Sequence, residues 1–134
     1  MNSRPTVLLA NLALGLIWIY QGLIPKILFP ETGETEMLRQ SGLFSGNESS
    51  IVLVIGWIEI AFGFVILLVH KKIIHILNII ALLILGAGSL MSSTEIFTYP
   101  FNPFSLNLSM IVISVIAILN LKAVPKESGS VIHP

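Results

Sequence analysis

The chain has 134 residues, a formal net charge of zero, 54% hydrophobic and 10% charged residues, and no cysteine. The even charge leaves no electrostatic footprint for nucleic acid, and the lack of thiols excludes dithiol redox chemistry, thiolate metal sites and a cysteine nucleophile. So apolar a composition is far from that of a soluble domain and points to lipid as the solvent.

Four apolar runs carry the excess, at roughly 6–28, 51–70, 73–91 and 103–121. Each is near the ~20 residues that cross a bilayer core as a helix, and none shows the charged face of a helix in a soluble bundle. The expected fold is all-α: an integral membrane four-helix transmembrane bundle forming one domain over residues 1–124, with 125–134 as a disordered cytoplasmic tail. The first run follows Arg4 but is too long for a signal peptide, and no small-x-small cleavage site follows it. Beyond it lies a long polar loop, about 29–50. Within that loop "ETEMLRQSG" predicts a short surface helix ended by Gly42. "HKK" at 70–72 is so short that the second and third membrane helices are expected to form a tight antiparallel hairpin. Before the fourth, Asn102 is placed to cap and Pro103 to occupy the first turn.

Arg4, Lys71, Lys72, Lys122 and Lys126 fall on one side of this topology, and Lys26 and Arg39 on the other. The bias predicts cytoplasmic termini for a multi-pass membrane protein.

Polar residues inside the spans are costly in lipid, so their spacing is informative. Asn11, Gly15, Trp18 and Gly22 share one face of the first span, and Gly56, Glu59 and Gly63 share one face of the second. The glycines read as close helix packing, and Asn11 and Asn78 as a pair across a helix contact. Glu59 lies about 12 Å below the outer end of its helix at 1.5 Å per residue, so it is expected to be protonated or paired. Pro25 removes one backbone donor and frees a carbonyl near Gln21. Two readings follow. In one, Gln21, Lys26, Glu59 and Asn107 line an outer-half pocket with Trp18, Tyr20 and Trp57 as aromatic walls, and Glu36 faces Lys26 from the surface helix. In the other, Lys26 and Glu59 are a structural pair, and Trp57 faces lipid as a belt residue. His70 and His75 read as interfacial imidazoles, and no metal site is expected.

The strings "WIYQGLIPKIL", "ETEML", "GWIEIAFG" and "YPFNPFSLNLSM" resemble the DoxX-like family of small four-helix bacterial membrane proteins, over roughly residues 12–120. The matching positions include Trp18, Tyr20, Gln21, Pro25, Lys26, Glu36, Glu59 and Asn107. Relatives implied by the resemblance include a quinone-linked thiosulfate oxidoreductase subunit, membrane partners of redox enzymes, and chains fused to sugar-epimerase-like domains. The resemblance carries no agreed catalytic residues, so none is assigned. With no cysteine, a redox role would rest on a bound quinone or on a partner's cofactor. The expectation is an accessory, redox-associated membrane protein with a quinone-like pocket. There Gln21, Lys26 and Asn107 donate to a ligand oxygen, and Glu59 accepts or gives a proton. The rival is a non-enzymatic assembly protein, acting through a membrane partner or as a homo-oligomer, whose Lys26–Glu59 pair is structural.

Overall fold

The computed structural model describes residues 3–30, 34–42, 46–92, 98, 100 and 102–122. Helix α1 (Ser3–Gly22) runs on into one π-helical stretch (Leu23–Leu28). It is followed by the short α2 (Glu34–Ser41), then α3 (Glu48–Leu68), α4 (Lys72–Ser92) and α5 (Pro103–Lys122). No strand occurs among the described residues. The spans Arg4–Leu28, Glu48–Leu68, Lys72–Leu90 and Pro103–Leu121 are each long and apolar enough to cross a bilayer. The expected tail lies outside the described residues.

Local chemistry accounts for the boundaries. Pro25 has no N–H for the carbonyl four residues back, and the helix answers by widening its turn. It closes with a bond from the Phe29 N–H to Ile24 O, five residues back, at 2.9 Å. Gly42 ends α2 at φ 67°, a left-handed value that glycine adopts without strain. Asn102 caps α5 as expected: the Ser105 N–H donates to its Oδ1 at 2.9 Å, and Pro103 occupies the first turn.

The bundle is centred on α1. This helix packs against α3 and α5, and α4 packs against α5. The α1–α3 contact rests on two glycine pairs, Gly15 with Gly63 and Gly22 with Gly56, two turns apart on each helix. A Cβ on Gly63 would meet Gly15 O at 2.8 Å, and one on Gly56 would meet Gly22 O at 2.9 Å. The backbones therefore approach as closely as small residues permit, in antiparallel register.

The expected tight hairpin between α3 and α4 is not formed. The chain does reverse over Val69–Lys71, but the two helices touch only slightly, and α2 lies against both. The reason is the placement of side chains. The glycine face of α3 is committed to α1, whereas α4 sends Asn78 to Ser114 of α5 and receives Asn107 of α5 at Leu82 O. Leu14, Trp18, Ile66, Ile74, Leu82 and Met110, drawn from all four long helices, form the apolar core.

The exterior inverts the pattern of a soluble protein. Leu9, Leu16, Ile58, Leu83, Ile84 and Leu119 face outward, while Asn11, Lys26, Glu59, His75, Asn78 and Ser114 are buried. In water this would expose a large apolar surface; in lipid it is the stable arrangement.

A candidate site at Lys26

Lys26 sits within the π-helical turn, and its ammonium is held inside the bundle by three oxygens. Nζ lies 2.7 Å from Glu59 Oε2 and 2.9 Å from Glu34 Oε1. It also donates to Gln21 O at 3.4 Å. That carbonyl is the one Pro25 leaves without its α-helical donor, so the proline and the lysine five residues from Gln21 are parts of one device. Lys26 and Glu59 are 5% and 6% exposed, so the ion pair is effectively out of solvent. Gly56 makes the approach possible, since a Cβ there would meet Lys26 Cβ at 2.8 Å. The Glu59 contact is a close ion pair between two buried groups.

The structure brings Lys26, Glu59 and the Gln21 main chain together and places the other candidates elsewhere. Glu36 does not face Lys26; it pairs with Arg39 at 2.6 Å on the exposed side of α2. Glu34 takes that place. Residues two apart on a helix point about 200° apart, and the buried side of α2 carries Thr35, with the partly buried Leu38 four residues after Glu34. The apolar Leu38 in "ETEML" was the available clue to this phase. Tyr20 and Trp57 do not wall the site. Each lies two residues from an inward-facing side chain, Trp18 and Glu59 respectively, and both are exposed. Trp57 thus takes the lipid-facing alternative. Asn107 directs its amide to Leu82 O at 3.4 Å, toward α4.

Trp18 is buried and organises a second polar group. Its indole N–H donates to Asn78 Oδ1 at 2.6 Å, and Asn78 Nδ2 donates to Ser114 Oγ at 2.7 Å. The ring meets Phe62 edge to face at 5.2 Å. Asn11 and Asn78 are not a pair. Asn11 Nδ2 donates instead to Ile66 O at 2.7 Å, a carbonyl in the last turn of α3 that has no helical partner. Replacing Asn78 with Leu would strand the indole N–H of Trp18 in an apolar interior, so a loss of about 1–3 kcal/mol is expected. Thermal unfolding in lipid nanodiscs, in a Trp57→Phe background that leaves Trp18 as the reporter, measures it. His70 is exposed, whereas His75 is wholly buried within the bundle. Among the described residues no three His, Asp or Glu side chains are grouped to hold a metal ion.

An apolar exterior, four helices long and apolar enough to span a bilayer, and polar groups buried among an apolar core define a small multi-pass helical membrane protein. Comparison with protein families matches residues 15–115 to the DoxX-like family, and the chain belongs to that family. No curated protein and no solved structure matches it.

Proposed function

We propose that this protein is an accessory, redox-associated subunit of the bacterial inner membrane, with both termini in the cytoplasm. At Lys26, in the outer half of the bundle, it receives the oxygen-bearing head group of a lipophilic, quinone-like ligand. The observation that carries the reading is the asymmetry of the acceptors around Lys26. Glu59 is buried with it, whereas the Glu34 side chain belongs to a peripheral helix and is 36% exposed. A ligand oxygen can take the place of Glu34 at Nζ while Lys26 stays paired with Glu59, so the buried charge is never left alone. Movement of α2 would open the site, and Glu59 would be the group that gives or takes a proton.

A second reading has its own support. The ammonium has three protons and three protein acceptors. On this reading the cluster fixes α1, α2 and α3 to one another, and the protein acts by assembly with a membrane partner.

The two separate on the organic extract of protein purified in mild detergent with its native lipids, analysed by mass spectrometry and visible spectroscopy. Expected for the ligand site is a stoichiometric quinone in the wild type and in Glu34→Gln, lost in the paired variant Lys26→Met/Glu59→Leu. A ligand-free wild type, or a quinone retained in the paired variant, overturns it in favour of assembly.

A further inference from the structure

At the end of the bundle opposite α2, the interior holds polar atoms that no group among the described residues serves. His75, in the first turn of α4, is 0% exposed, and neither Nδ1 nor Nε2 has a partner among the described residues. Asn11, at 1% exposed, spends its Nδ2 on Ile66 O, and its Oδ1 is left without a donor. Ile66, whose carbonyl Asn11 serves, and Ile74, next to His75 in the chain, belong to the same core cluster, and the turn Val69–Lys71 joins their helices.

Three unserved buried atoms so close to one turn are not tolerated without compensation, since each carries a desolvation cost of about 1–3 kcal/mol. The missing set has a definite chemistry. A neutral imidazole offers one donor and one acceptor, so His75 requires both a donor and an acceptor, and Asn11 Oδ1 requires a further donor. The two ring nitrogens point apart, so one small molecule cannot serve both. The need is for small neutral groups that donate and accept together.

We propose that this end of the bundle is an internal hydration site, in which water molecules bind both nitrogens of His75 and donate to Asn11 Oδ1. Water in such sites makes two to four hydrogen bonds to otherwise unserved groups, which matches the set on these residues. His75 is then a wet interior histidine. It lies three residues, hence one helical turn, from Asn78 and the Trp18–Asn78–Ser114 chain. The site is independent of the Lys26 cluster.

The test is magnetisation transfer from water to the side chains of His75 and Asn11, by NMR on isotopically labelled wild-type protein in lipid nanodiscs. Expected are water cross-peaks to the His75 ring N–H and the Asn11 amide, with nitrogen shifts of a neutral hydrogen-bonded ring. In His75→Phe the Asn11 cross-peak weakens at least twofold, while its bond to Ile66 O persists. Three results would each overturn the proposal: no water transfer at either residue of the folded wild type, ring shifts of a metal-bound imidazole together with stoichiometric metal, or an unchanged Asn11 signal in His75→Phe. A His75→Phe variant that does not fold leaves the wild-type measurement as the deciding one.

Discussion

Replacing Lys26 by Met is expected to lower stability in lipid nanodiscs by about 3–5 kcal/mol, the range for removing one partner of a buried ion pair. The loss comes less from the attraction removed than from what remains. Glu59 would be left inside the bundle without its buried cation. The paired replacement Lys26→Met/Glu59→Leu should recover most of the loss, because two apolar side chains of similar size carry no desolvation cost. Glu34→Gln should change stability far less, since its side chain is more than a third exposed and Lys26 keeps its buried partner. Unfolding followed by fluorescence for the four proteins gives the order: wild type close to Glu34→Gln, the paired variant next, Lys26→Met last. If Lys26→Met alone were as stable as the wild type, the pair would hold nothing together.

The second large effect is expected from the smallest substitution. In Gly56→Ala the added methyl would meet Lys26 Cβ at 2.8 Å, Gly22 O at 2.9 Å and Ile27 Cγ1 at 3.2 Å. One of these atoms is backbone, so the helices must separate, at a cost of about 1–3 kcal/mol for overpacking. Separation at this point also draws Lys26 away from Glu59, so the ion pair and the glycine contact are coupled and their losses should not add. Gly88→Ala is the control. A Cβ there meets nothing within 4 Å, and replacing a mid-helix glycine gains up to about 1 kcal/mol. Opposite signs for the two Gly→Ala changes in the same protein would separate the close approach of α1 and α3 from helix propensity in general.

The four spans, the α2 stop at Gly42 and the Asn102–Pro103 start of α5 were legible because each rests on a local rule: length against bilayer thickness, a left-handed terminus, a capping side chain. The closeness of Lys26 to Glu59 was legible as well, because in lipid a buried charge must find a partner and few were within reach. What was not legible concerns helix rotation and neighbour choice. A helix that is apolar all round carries no amphipathic signal, so Tyr20 and Trp57 could be placed only relative to the nearby Trp18 and Glu59. The choice of Glu34 over Glu36 depended on the phase of an eight-residue helix, too short for its few apolar residues to fix from sequence. The α3–α4 hairpin was expected from the shortness of its turn, but a short turn sets only where two helices meet. How far they stay together is decided by the faces they present, and those faces are turned to α1 and α5. The burial of His75 was not legible, because nearness to lysines in sequence says nothing about which way its ring turns.

The central position of α1 bears on how the protein is made. Among the described helices α1 is made first, and its two principal neighbours are α3 and α5, the latter the last of them. Until α3 arrives, the backbone beside Gly15 and Gly22 has no tight partner. Until α4 arrives, the indole N–H of Trp18 has no acceptor at Asn78. The nascent chain must therefore hold α1, with its buried-type polar groups, in the membrane until α3 and α4 have been made. Closure of the bundle then depends on contacts between segments far apart in the chain, which form late and slowly. A ribosome stalled before α5 would carry three inserted helices and an α1 still open along one flank, the state in which a membrane chaperone would find its handle.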